Sequence, residues 1–124
     1  MIIIDTDVLI EIFDKESKKG DQALQKLKES KENIAITSLN LHEILFSHLK
    51  RKKKIKEITS LTTLSFTKKD AELSAEIENM LEKKGRPNTM IDTMIAAIAI
   101  NNNAKLYTFN KEHFQGIKQL SLFE

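Results

Sequence analysis

The most constraining feature of this sequence is an apolar strand that ends in two acids. Residues 2–4 are isoleucines, and such a β-branched run favours a strand buried on both faces of a parallel sheet. Asp5 and Asp7 follow, and the apolar residues of 8–13 then recur at helical spacing. Sites in open α/β sheets form where strands end, and a carboxylate that ends a buried strand is costly unless it is paired or metal-bound. Asp5 is therefore a candidate site residue, whereas Thr6 or Asp7 is expected to cap the helix.

Composition narrows the class of protein. The 124 residues suffice for one domain with a modest core, so a single domain over residues 1–124 is expected. Cysteine is absent, which leaves only oxygen or imidazole ligands for any metal. No signal peptide is recognisable, and the longest apolar stretch, residues 94–100, is too short to cross a bilayer. A cytoplasmic protein without membrane contact is therefore expected, and the net charge of +2 favours no partner by itself.

Strand and helix patterns alternate along the chain. Helices are predicted at 21–31, 39–52, 69–84 and 88–102, and further strands at 34–36, 61–66, 105–109 and, as an edge strand, 120–123. Residues 15–20 are predicted to be a loop, and Gly85 is predicted to end the third of these helices. The alternation predicts an α/β fold with a largely parallel sheet and right-handed crossovers. The helix at 39–52 is apolar around much of its circumference, so we expect it to pack on the sheet and against a second subunit.

Acidic or amide residues follow other strands as well. Glu43 lies on the apolar helix, Asp92 lies in the first turn of a later helix, and Asn110 follows the fourth strand. Each has a plainer interpretation, because Glu43 could point outward or pair with Lys50, and Asp92 could favour the helix dipole. All of them can reach the sheet edge at which Asp5 stands. Clustered carboxylates repel one another, and Mg²⁺ or Mn²⁺ would relieve that repulsion and support phosphodiester hydrolysis.

Four segments with these residues match one known family in their order and spacing. They are IDTDVLI at 4–10, LHEIL at 41–45, IDTMIAA at 91–97 and LYTFN at 106–110, followed by Phe114. The chain resembles, over essentially its whole length, PIN-domain ribonucleases of the VapC-like toxin type from prokaryotic type II toxin–antitoxin modules. The resemblance implies a PIN-like three-layer sandwich with a five-stranded sheet flanked by helices. It also implies a Mg²⁺ or Mn²⁺ site, cleavage of RNA by water, a homodimer and a cognate antitoxin protein.

The resemblance also implies roles for individual residues. Asp5, Glu43 and Asp92 match the acidic residues that bind the metal and carry catalysis. Asp7 matches a supporting polar position, and Asn110 matches a fourth position that is frequently Asp in the family.

The fourth ligand is the point at which the sequence departs from the family pattern. His113 stands where many members have another acid. Glu112 competes with Asn110 as the residue that completes the site, and the sequence leaves both possibilities open. His42 and His48 are expected at the surface or an interface, because a hard cation prefers oxygen ligands.

A basic run follows the Glu43 helix and is a candidate RNA-binding surface. A solvated face and an antitoxin contact are the alternative interpretations of this run. Its members are Lys50, Arg51, Lys52, Lys53 and Lys54.

Two rival functions remain. Asp5 and Asp7 after an apolar strand also resemble the start of haloacid-dehalogenase phosphatases, but Val8 and Leu9 replace the expected Gly-Thr or Gly-Val pair. The second rival is a catalytically inactive PIN-like module that binds RNA or protein, which Asn110 in place of an acid would favour.

Overall fold

A five-stranded, fully parallel sheet forms the centre of the protein. The computed structural model describes residues 1–50, 56–86 and 89–124. The strands are β1 (Ile2–Ile4), β2 (Ile34–Thr37), β3 (Thr62–Leu64), β4 (Lys105–Tyr107) and β5 (Ser121–Leu122). The strand order β3–β2–β1–β4–β5 places β1 in the middle, where Ile3 pairs with both Ala35 and Leu106. The predicted α/β fold with a parallel sheet is thus confirmed.

Helices connect the strands. The Lys15 N–H donates to the Ile10 carbonyl at 2.9 Å, so the first helix continues into a wider, π-helical turn. The second helix begins inside the predicted loop because Ser17 caps it, accepting from the Gly20 N–H at 3.0 Å. No helix in the described residues is long and apolar enough to cross a membrane. The helical elements are α1 (Thr6–Leu9), the π-helical turn (Ile10–Asp14), α2 (Lys18–Ser30), α3 (Ser38–Lys50), α4 (Lys56–Thr59), α5 (Lys68–Lys83), α6 (Met90–Asn101) and a 3₁₀ turn (Lys111–His113).

The central strand is buried on both faces. Ile3 and Leu106 pack on one side with residues of α5 and α6. Ile2, Ile4 and Tyr107 pack on the other side with residues of α1, α2 and α3. Because successive side chains of a strand point to opposite faces, the isoleucine run serves both layers at once. The carboxyl end of β1 therefore lies at the middle of one sheet edge, between the two helical layers.

The helix α3 is only partly covered. Phe46 and Leu49 are 55% and 76% exposed, so the described residues do not bury this helix on more than one side. The expectation that His48 lies at the surface was wrong. His48 follows Ile44 by one helical turn on the buried face, and its Nε2 lies 3.8 Å from Asp14 Oδ1. This buried contact joins α3 to the π-helical turn.

Candidate active site

Asp5 is the carboxylate at the carboxyl end of β1, and it is buried. Its Oδ1 accepts from the Thr6 N–H at 2.9 Å and from the Asn40 amide at 3.3 Å. Its Oδ2 accepts from the Thr108 hydroxyl at 2.8 Å. Asp5 itself caps α1, so the expectation that Thr6 or Asp7 is the cap was wrong. These bonds offset part of the cost of burying the carboxylate.

The environment of Asp5 still opposes its charge. Burial, and then the Asp7 carboxylate, raises the pKa of Asp5 from 3.8 to about 6, against the lowering effect of the bonds from Thr108 and Thr6. The Asp92 charge makes a smaller contribution that also raises this pKa. A carboxylate has about four lone-pair positions, of which the three donors leave about one. A cation placed there would favour the charged form.

A buried amide fixes the orientation of this network. Asn40 is fully buried, and its Oδ1 accepts from the Thr37 N–H at 3.0 Å and from the Thr37 hydroxyl at 2.7 Å. Its NH₂ group donates to Asp5 Oδ1 and, at 3.0 Å, to the Thr6 hydroxyl. All the hydrogen-bonding capacity of the amide is therefore used, which defines its flip state. Sequence reasoning missed Asn40, although an amide three residues after Thr37 on an apolar helix was an available signal.

Glu43 joins the network through a hydroxyl. The Thr6 hydroxyl accepts from the Asn40 NH₂ group and donates its own proton to Glu43 Oε1 at 2.7 Å. The half-buried Glu43 therefore faces the end of β1. Lys50, its alternative partner, instead places Nζ 4.8 Å from the Phe46 ring centroid.

Asp92 approaches from the other helical layer. It lies in the first turn of α6, where its N–H donates to the capping Thr89 hydroxyl at 3.1 Å. Its Oδ2 lies 3.5 Å from Nδ1 of His113 on the 3₁₀ turn. A histidine, rather than a further acid, thus contacts Asp92.

The three supporting residues differ in their surroundings. Asp7 Oδ2 accepts from the Phe109 N–H at 3.1 Å, and burial raises the pKa of Asp7. Asp7 Oδ1 is buried and has no hydrogen-bond partner within the described part of the chain. Asn110 and Glu112 are exposed after β4, and neither side chain hydrogen-bonds to Asp5, Glu43 or Asp92 among the described residues. Of these three residues, Asp7 is therefore the one whose carboxylate is half-buried and hydrogen-bonded beside the end of β1.

The donor set fits a hydrated hard cation better than a fully protein-enclosed one. Within residues 1–50, 56–86 and 89–124, no three acids or histidines are grouped closely enough to hold a metal by themselves. Mg²⁺ commonly keeps several waters and binds to only one or two carboxylates. Asp5, with its raised pKa, and Asp7, with a buried oxygen that no described residue hydrogen-bonds, are suited to such a site.

The basic run lies mostly outside the described residues. Lys50 ends α3 and is exposed, whereas Arg51, Lys52, Lys53 and Lys54 belong to the undescribed segment 51–55. RNA binding by this run stays a prediction.

Comparison with known proteins gives consistent matches. The model of the PIN domain family matches residues 2–119. Ribonuclease VapC3 of Methanocaldococcus jannaschii is 32% identical over 96 residues, which cover 77% of this chain and 95% of that protein. The crystal structure of VapBC2 from Rickettsia felis, bound to a promoter DNA fragment, contains a chain with 28% identity and a TM-score of 0.80, covering 99% of this chain and 98% of that one. A chain of VapBC-1 from nontypeable Haemophilus influenzae has the same fold, with 21% identity and a TM-score of 0.80. The match covers 100% of this chain and 98% of that one.

Proposed function

The chain belongs to the PIN domain family, and we propose that it is a metal-dependent endoribonuclease that acts as the toxin of a toxin–antitoxin pair. The observation that carries the proposal is the buried Asp5 carboxylate at the central strand end, whose pKa is raised to about 6 by burial and by the charges of Asp7 and Asp92. A ribonuclease name on a relative that is 32% identical supports the reaction class.

Asp5, Glu43 and Asp92 would hold Mg²⁺ or Mn²⁺, together with Asp7 as a supporting residue. When bound, such an ion would supply an activated water and charge stabilisation for in-line displacement at phosphorus. The protein contributes orientation, because Asn40 of α3 and Thr108, directly after β4, donate to the two oxygens of Asp5 and the Thr6 hydroxyl donates to Glu43.

The partners of the protein follow from the same proposal. RNA is the substrate, and the similarity to a chain of the VapBC2 crystal structure supports a cognate antitoxin. The exposed Phe46 and Leu49 on α3 support a homodimer, because an apolar surface of this kind favours association. An RNA substrate supports a location in the cytoplasm.

A catalytically inactive, RNA- or protein-binding module is the second candidate. Two observations favour it. Asn110 and His113 stand where the family resemblance leads us to expect acids, and no three acids or histidines among the described residues are grouped closely enough to hold a metal. Such a module would bind a divalent ion or RNA without hydrolysis.

Digestion of a mixed RNA pool, followed by sequencing of the cut ends, separates the two candidates. We expect cleavage at defined sites with Mg²⁺ or Mn²⁺ and none in EDTA. Asp92→Asn should abolish cleavage, whereas Glu72→Gln, an exposed acid on α5, should leave it unchanged. Divalent binding by the wild type without any cleavage would contradict the enzyme and favour the binding module.

A further inference from the structure

A cleft of 430 Å³ opens between the end of α5, the start of α6 and the turn after β4. Its volume lies within the range of about 300–1,000 Å³ that is usual for small-ligand sites. Neither the metal site nor the sequence motifs account for it. Its polar walls come from Arg86, Thr89, Glu112, His113 and Gln115.

Arg86 is held in place by the way in which α5 ends. Gly85 adopts a φ of +68°, the left-handed conformation that favours glycine. The Gly85 N–H donates to the Glu82 carbonyl at 3.1 Å, and the Arg86 N–H donates to the Leu81 carbonyl at 2.8 Å. This pair of bonds is the Schellman motif, which fixes the direction of the chain after a helix. The backbone of Arg86 is therefore anchored at the cleft.

The Arg86 guanidinium is available to an anion. It lies beside Gly116, where an added Cβ would be 3.7 Å from both Cδ and Nη1 of Arg86. Among the residues that the structure describes, no carboxylate forms an ion pair with this guanidinium. A guanidinium of this kind matches phosphate geometry through paired N–H donors.

The cleft shares a wall with the candidate active site. His113 lines the cleft and at the same time places Nδ1 3.5 Å from Asp92 Oδ2. Thr89, another lining residue, caps the first turn of α6 beside the Asp92 N–H. A ligand in the cleft would therefore adjoin whatever phosphodiester lies at the acids. Glu112 and Gln115 add hydrogen-bonding groups suited to ribose hydroxyls or a base edge.

We propose that this cleft is a nucleotide subsite, in which Arg86 binds the phosphate of an RNA nucleotide adjacent to the cleaved bond. The inference rests on the proposed ribonuclease function for its choice of ligand. Arg86 is here a binding residue that positions the substrate, and it takes no part in the displacement.

Binding of a fluorescent single-stranded oligoribonucleotide in EDTA tests this subsite without requiring cleavage. Arg86→Gln should weaken binding about tenfold, as expected for one charge-assisted contact. It should also reduce the log–log salt slope by about 0.7, as expected for one phosphate contact on a single strand. Lys84→Gln is the matched control, since it removes an exposed charge two residues away that does not line the cleft. Gln115→Ala removes a second polar side chain that lines the cleft and tests its contribution to RNA binding in the same assay.

The kinetic readout is a rise in KM with kcat nearly unchanged in Arg86→Gln. Thermal melts of all variants should agree with that of the wild type, because both charges are on exposed side chains. Identical RNA affinity and salt slope in Arg86→Gln and Lys84→Gln would overturn the subsite. A wild type that binds RNA in this Arg86-dependent way but never cleaves it would instead contradict the proposed function and leave the subsite standing.

Discussion

Asp5→Asn should change how the stability of the metal-free protein depends on pH. The pKa of Asp5 is about 6 in the folded chain, against a reference of 3.8. Between these two values the folded state holds more protons than the unfolded state, so wild-type stability falls as pH rises. Asparagine cannot ionise, and its amide oxygen can still accept from Thr6 and Asn40. The variant should therefore lose this part of the pH dependence.

The expected magnitude follows from the difference between the two pKa values. A pKa raised by about two units corresponds to about 3 kcal/mol against the folded state at pH 7.5, because each unit is worth about 1.4 kcal/mol. Roughly half of this penalty is left at pH 5, and about 0.5 kcal/mol at pH 4. The stability of Asp5→Asn relative to wild type should thus increase by about 2 kcal/mol between pH 4 and pH 7.5. Any pH-independent cost of the amide cancels in this comparison.

Urea denaturation in EDTA, repeated at several pH values, measures the effect. Glu72→Gln is the control, because it neutralises an exposed acid on α5 and should follow the wild-type curve. A stability difference between Asp5→Asn and wild type that is constant from pH 4 to pH 7.5 would refute the reasoning. It would mean that Asp5 ionises as easily in the folded chain as in the unfolded one.

Three further predictions concern residues around the site and the turns. Thr6→Val removes the hydroxyl that donates to Glu43 at 2.7 Å and should weaken Mn²⁺ binding about tenfold by calorimetry, whereas Thr6→Ser should not. Equal Mn²⁺ affinities in Thr6→Val and the wild type would contradict a role for Glu43 in the metal site. Gly20→Ala places a Cβ against the Glu11 carbonyl oxygen and should cost about 2 kcal/mol or more in urea denaturation. Gly85→Ala should cost about 1 kcal/mol because φ is +68°, and a wild-type midpoint in either glycine variant would contradict the backbone description.

The sheet could be predicted from the sequence because its signals are local. A buried run such as residues 2–4, and helical periodicity between such runs, determine element type without knowledge of distant contacts. The π-helical turn at Ile10–Asp14 could not be predicted, because α2 packs against it at Gly20 and such packing is not encoded in local periodicity. The start of α2 was missed although Ser17 is a good cap, because its polar neighbours resembled a loop.

The acidic residues of the candidate site could be predicted from the sequence, but the side chains that hydrogen-bond to them could not. Topology alone brings Asp5 and Asp92 to one sheet edge, because parallel strands share the end at which sites form. Two of the three donors to Asp5 are the side chains of Asn40 and Thr108, which are 35 and 103 residues away in sequence. Hydroxyl and amide contacts over such separations leave no periodic signal. Their roles became apparent only once α3 and β4 were placed beside β1.

The most direct test of the central claim, that acids from three elements act as one cation site for RNA hydrolysis, is a Mn²⁺ titration of the cleavage rate. The substrate is a single RNA with one mapped cut. We predict that the wild-type rate is absent in EDTA and saturates with Mn²⁺, and that Asp5→Asn, Glu43→Gln and Asp92→Asn each lose at least about a hundredfold. Cleavage in EDTA at the wild-type rate, or full activity in all three variants, would contradict the claim.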